Sequence, residues 1–128
     1  MARTHFSIPN TDKTEQSVTR WFSTNGYSKI AFENGVWQAS LGDTMQGAIY
    51  HKLKEKPGTQ TFAKESTGRS LLVFEVKPGN PFEFECYSPL LIFGIFRKEL
   101  KFNPKAGFLT SYLKSGYADM MSLQNDVY

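Results

Sequence analysis

Polar and apolar residues alternate through His5-Phe6-Ser7-Ile8, which predicts a short opening strand ended by Pro9. Asn10-Thr11-Asp12 offers helix caps, and Asp12 with Glu15 has capping-box spacing. Val18, Trp21 and Phe22 then repeat at i, i+3, i+4, one apolar stripe, and Asn25-Gly26 supplies a stop. These signals predict a helix over about 12–25. Tyr27–Glu33 and Val36–Leu41 read as strands joined by Asn34-Gly35, the strongest short hairpin signal, because both turn residues must take positive φ. Gly42-Asp43 marks a turn. Met45–Lys54 reads as a further strand with Ala48, Tyr50, Lys52 and Lys54 in one phase and a bulge near Gly47.

Residues 55–69 form the most polar stretch, with Pro57, Gly58 and Gly68 and the single apolar anchor Phe62. They read as a long loop, or as a hairpin with an exposed tip. Ser70–Val76 and Phe82–Tyr87 are strands around Lys77-Pro78-Gly79-Asn80-Pro81. Phe82, Phe84 and Cys86 share one face and Glu83, Glu85 and Tyr87 the other, which predicts a sheet dry on one side and wet on the other. Leu90–Phe96 is apolar on both faces and reads as one covered or central strand, bent at Gly94. Arg97–Phe102 alternates again. Asn103-Pro104 opens the last element, whose stripe Leu109, Leu113, Gly116, Met120 predicts an amphipathic helix over about 104–121.

The expected fold is therefore α+β. A largely antiparallel, curled sheet of about six to seven strands carries the N-terminal helix (about 12–25) and the C-terminal helix (about 104–121). At 128 residues the chain reads as a single domain, 1–128, and 40% hydrophobic with 15% aromatic residues suffices for a core. The longest apolar run, Leu90–Phe96, is too short to span a bilayer, so no membrane insertion is expected. One cysteine, Cys86, excludes an intramolecular disulfide and points to a cytoplasmic, soluble protein. In phase with Phe82 and Phe84, it reads as a buried thiol rather than a nucleophile.

No phosphate-binding loop, dinucleotide fingerprint, nucleophile elbow or His-Glu-x-x-His stretch occurs, so no cofactor is expected. His5 and His51 are far apart, with no ligand partners at metal spacing, so no metal site is expected. Glu83 and Glu85 project from one strand face and Glu75 could join them across the turn. Such carboxylates can share a proton or cut glycosides, but a solvated face paired with Lys52, Lys54, Arg97 or Lys101 is the commoner arrangement. Lys52, Lys54 and Lys56 share a phase with Tyr50, and Lys64 and Arg69 lie beyond. That stripe could contact phosphates and stack a base, yet a net charge of +3 argues against nucleic acid as the main partner.

Three functional readings follow. The first is a non-catalytic binding or interaction domain for a small hydrophobic ligand or a protein, with a homodimer as one form. Trp37, Tyr50, His51, Lys52, Lys54, Leu91 and Phe93 are its candidate contacts. The second is weak nucleic-acid binding through the basic 52–69 region. The third is an enzyme with a scattered site around His51 and Glu83 or Glu85, which needs those groups within hydrogen-bond reach. No residue motif carries a resemblance to a known family.

Overall fold

A computed structural model describes residues 3–30, 32–33, 36–37, 56–66, 70–92 and 96–127, with the backbone alone at 32–33, 36–37, 91–92 and 96–97. Strand β1 (Thr4–Ile8) leads into helix α1 (Thr14–Thr24). Short strands β2 (Ser28–Lys29), β3 (Phe32–Glu33) and β4 (Val36–Trp37) follow. The long strands are β5 (Gln60–Ser66), β6 (Ser70–Lys77) and β7 (Phe82–Ile92), and β8 is Phe96–Leu100. A 3-10 turn (Phe108–Thr110) precedes the last helix, α2 (Tyr112–Val127).

Six strands form an open antiparallel sheet in the order β1-β7-β6-β5-β2, with β8 also on β7, and two helices accompany it. The expected α+β architecture is thus observed. Strand β7 is the axis. Its whole length is used on one edge, where β1 pairs Phe82–Cys86 and β8 pairs Ser88–Ile92; β6 pairs Glu83–Tyr87 on the other. Strands β3 and β4 pair separately, Phe32 with Trp37 and Glu33 with Val36, so the residues flanking Asn34-Gly35 meet in the hairpin register.

Helix α1 is built on the expected stripe: Val18, Trp21 and Phe22 are buried. Its C-terminus is a Schellman closure. Gly26 takes φ +82°, Tyr27 N–H donates to Phe22 C=O at 2.9 Å, and Gly26 N–H donates to Ser23 C=O at 3.5 Å. The accompanying apolar contact is the Tyr27 ring edge-on to Phe22, centroids 5.5 Å apart. The N-terminus differs from expectation. No side chain caps it, so the Asp12–Glu15 capping box does not form; Thr14 Oγ1 instead accepts from Thr11 N–H and donates to Pro9 C=O.

Between helices and sheet the space is filled by rings. Phe22 stacks on Phe62 at 4.1 Å, and Trp21, Tyr27, Phe74 and Phe102 meet edge-on or tilted around them. Trp21 Nε1–H donates to Ser122 Oγ, linking the two helices and satisfying the buried indole. Leu113, Gly116, Met120 and Leu123 form the buried stripe of α2.

One expectation is decided between its two alternatives, and three need correction. Residues 60–66 are not loop: β5 pairs with β6 from Gln60↔Val76 to Ser66↔Ser70, which is the hairpin alternative. Phe62 and Ala63 are buried there, so tertiary packing outweighs the polar composition. Leu90–Phe96 is not one strand, because Ile92 pairs with Phe96 and the segment is the end of β7 and the start of β8. The C-terminal helix begins at Tyr112, not near 104; Asn103 Oδ1 accepts Lys105 N–H in a local turn, and Leu109 is 88% exposed. Finally, the face opposite the helices is wet only in part, since Leu71, Val73 and Tyr87 on it are buried.

Among the described glycines, Gly116 is the one with no room for a side chain. A Cβ there would lie 2.6 Å from Phe102 Cδ1 and Cε1, and that ring is itself buried. Gly116→Ala is therefore expected to lower stability by about 1–3 kcal/mol through overpacking, measured by urea denaturation. Cys86 is buried, its Sγ 3.7 Å from Thr4 C=O, and burial pushes its thiol up to about 12. The unfolded thiol ionises near 9. The folded state is then favoured below that pH, and this share of stability is lost as pH rises from about 9 to about 12. A thiol reagent at pH 8 is expected to label Cys86 only as the chain unfolds; prompt labelling of the native protein would contradict its burial.

Candidate functional site

The alternation read from the sequence puts Glu75, Glu83 and Glu85 on the sheet face away from the helices. Register brings them together: Glu75 stands directly opposite Glu85 across β6 and β7, and His5 stands opposite Glu85 across β1 and β7. Like charges directly opposed on a sheet repel. Arg3, just ahead of β1, resolves this. Its Nη1 donates to Glu75 Oε1 and Glu85 Oε2, each at 2.9 Å, and its Nε and Nη2 grip Glu99 of β8 as a fork at 2.7 and 2.8 Å. Lys56 Nζ adds a contact to Glu75 at 2.9 Å. The hydrogen bond to Glu99, ahead of the burial that opposes it, holds the Arg3 guanidinium charged.

Tyr87 completes the cluster. Arg3 Cζ lies 4.0 Å above its ring centroid, and the phenol donates to Glu75 Oε2 at 2.9 Å. Beside the cluster is an open groove of about 140 Å³, lined by His5, Lys56, Thr59, Glu75, Lys77, Glu83 and Glu85. It is far below the volumes that enclose small ligands. Among the described residues no group of His, Cys, Asp and Glu is placed to hold a metal ion, and no buried side-chain nitrogen or oxygen lacks a hydrogen bond. Glu75, Glu85 and Glu99 are held by fixed donors, which is the geometry of a structural ion network.

A second surface is apolar. Phe108 and Leu109 are adjacent and 93% and 88% exposed. The segment carrying them is anchored at its base: Asn103 N–H donates to Leu113 C=O at 3.1 Å, Phe102 is buried against Gly116, and Ala106 is buried. Thr110 N–H to Gly107 C=O closes the turn itself. A third feature is a shallow groove of about 520 Å³ between the start of α1 and the end of α2, lined by Pro9, Thr11, Lys13, Thr14, Ser17, Asp126 and Val127.

The sequence-based candidates distribute unevenly. Tyr50, His51, Lys52, Lys54 and Phe93 lie outside the described residues, as does Arg69. Trp37 lies in β4 and Leu91 in β7, opposite Arg97 of β8. Glu75, Glu83 and Glu85 do come to one face as expected, but Glu75 is held by Arg3 and Lys56 and Glu85 by Arg3, and Lys101 is exposed. Lys64 is likewise committed: it meets Asp119 at 2.8 Å and covers the Tyr27 ring at 4.7 Å. Sequence reasoning missed Arg3, whose phase with His5 and Ser7 was the available signal, and it placed Leu109 inside a helix.

The fold and these surfaces define an α+β domain with an ion-paired cluster on one face and, among the described residues, an exposed apolar pair on a turn. Against known families, curated proteins and solved structures, the chain matches nothing at a significant level. No described helix is long and apolar enough to cross a membrane.

Removing Arg3 leaves three glutamates around one lysine. Arg3→Ala is expected to cost about 2–3 kcal/mol in urea denaturation, less than the roughly 3–5 kcal/mol of breaking a fully buried ion pair, because the cluster keeps some exposure. Arg3→Lys is expected to recover only part of this, since an ammonium cannot grip Glu99 as a fork. Full recovery by lysine would show that charge alone matters.

Proposed function

We propose that the protein is a non-catalytic docking domain that engages a partner surface through Phe108 and Leu109. The observation that supports this is their exposure, 93% and 88%, on a turn whose base is fixed by packing and hydrogen bonds. Single exposed apolar residues are ordinary; two adjacent large ones on an anchored tip form a contact element. The ring-filled interior between helices and sheet favours this surface over an internal ligand cavity.

The alternatives draw less support. The nucleic-acid reading relied on five cations, and the two described ones, Lys56 and Lys64, are each held by a carboxylate. The catalytic reading relied on His51 with Glu83 or Glu85; Glu85 is paired with Arg3, and His51 lies outside the described residues. A single cysteine that forms no disulfide supports a cytoplasmic setting.

A photo-crosslinking residue placed at Phe108 in the living cell tests the docking role. A discrete adduct is expected that excess wild-type protein competes and that a Phe108→Ser/Leu109→Ser variant does not. No adduct, or equal competition by the variant, would overturn it.

A further inference from the structure

The charged residues of the segment that carries the tip all have one sign. Between Leu100 and Ala118 the charged residues are Lys101, Lys105 and Lys114, and no acid occurs. All three lysines are exposed. The nearest acids on either side are neutralised, Glu99 by the Arg3 fork and Asp119 by Lys64 and the Tyr27 hydroxyl. The segment therefore carries two exposed apolar side chains among three exposed lysines, for which no ion pair is seen among the described residues.

From this juxtaposition we propose that the surface engaged by Phe108 and Leu109 is the anionic face of a lipid bilayer. The inference rests on the docking reading above and names its partner. The two apolar side chains enter the boundary between headgroups and acyl chains, while Lys101, Lys105 and Lys114 contact headgroup phosphates.

Shape favours lipid over protein. Phe108 and Leu109 project from a 3-10 turn of three residues, a convex element. A fluid acyl layer conforms to a convex tip, whereas a protein partner must offer a preformed pocket and about 800 Å² of matched surface. The exposed neighbours, Lys105, Ser111, Lys114 and Ser115, are short polar or cationic groups suited to a headgroup layer. Charge favours it as well, because lysine gains from an anionic leaflet as a point charge without fixed geometry. Neither the apolar pair nor the lysines alone would hold the protein at a membrane; stable anchoring takes two signals, and the segment supplies both. This is docking by side chains and requires no spanning segment.

The anchored base also matters. Asn103 N–H bonded to Leu113 C=O, with Phe102 packed on Gly116, fixes the direction in which the tip points before contact. Little ordering is then left to be done on binding.

Co-sedimentation of the full chain with vesicles tests this. One set is pure phosphatidylcholine and the other contains one-third phosphatidylserine. Binding is expected to the anionic set only, and to weaken as salt is raised. Phe108→Ser/Leu109→Ser is expected to reduce binding at least tenfold with unchanged thermal unfolding, because both side chains are already in water. Lys105→Gln and Lys114→Gln are each expected to reduce it about fivefold, and Lys29→Gln on β2 not at all. Absence of binding to anionic vesicles, or equal binding by the tip variant, would overturn the lipid inference. Should vesicles fail while the Phe108 crosslink is still competed in a tip-dependent way, the docking role stands and the partner is a protein with an acid-rimmed pocket. Failure of both removes both.

Discussion

The outer face of this sheet depends on one guanidinium. Register forces Glu75 and Glu85 opposite each other on β6 and β7, an arrangement that repels if left alone. Arg3 bridges them and reaches on to Glu99, so one side chain preceding β1 ties together β6, β7 and β8. The geometry also explains why β1 and β8 can share one edge of β7. They meet that strand end to end, and Arg3 lies at their junction, bonded across it to Glu99. A network of this kind need not add much net stability, because desolvating its charges offsets their attraction. Its stronger effect is on uniqueness. A one-residue slip of β1 would carry Arg3 to the other face and leave Glu75 and Glu85 opposed with no cation bridging them.

The same construction appears on both faces of the sheet. On the outer face Arg3 covers the Tyr87 ring, pairs with Glu75, and Glu75 accepts from the Tyr87 hydroxyl. On the helix side Lys64 covers the Tyr27 ring, pairs with Asp119, and Asp119 accepts from the Tyr27 hydroxyl at 2.7 Å. Each is a closed triangle of cation, ring and carboxylate. Burial, and then the Asp119 carboxylate, hold the Tyr27 hydroxyl far above the ordinary phenol range, so it remains a proton donor. The triangle on the helix side joins β5, the exit from α1 and the middle of α2. Two of these elements, α1 and β5, are also joined by the stack of Phe22 on Phe62. Polar closure and ring packing thus specify the same arrangement.

Much of the fold was legible in local pattern. The α1 stripe, the Asn25-Gly26 stop, the pairing around Asn34-Gly35 and the two-faced alternation of Phe82–Tyr87 each follow from a few neighbouring residues. Other features depend on contacts far along the chain. Strand β5 is polar in composition and becomes a strand because Phe62 finds Phe22 and because β6 offers a ladder. Leu90–Phe96 is apolar throughout, so periodicity cannot mark where β7 ends and β8 begins. The glutamate cluster was visible as a set of acids, but its principal cation sits more than seventy positions away from Glu75 in sequence. Strand order alone brings them together.

The C-terminal segment shows the same limit most sharply, and it bears on function. Leu109 falls in phase with Leu113, Gly116 and Met120, so the sequence presents one continuous stripe. The chain departs from that stripe because Asn103 and Pro104 commit to a turn and Phe102 docks on Gly116 from outside the helix. Phe102 is buried and Phe108, six positions on, is almost wholly in water. Burying Phe108 and Leu109 would have gained about 1.5–3 kcal/mol each. The fold forgoes that gain while spending good packing on the base that holds them outward. A loosely tethered loop would collapse onto the nearest apolar surface; a base fixed by Phe102, Ala106 and the Asn103–Leu113 bond prevents this. The exposure of the tip is thus a consequence of the packing beneath it, which is the physical basis for reading it as a contact element.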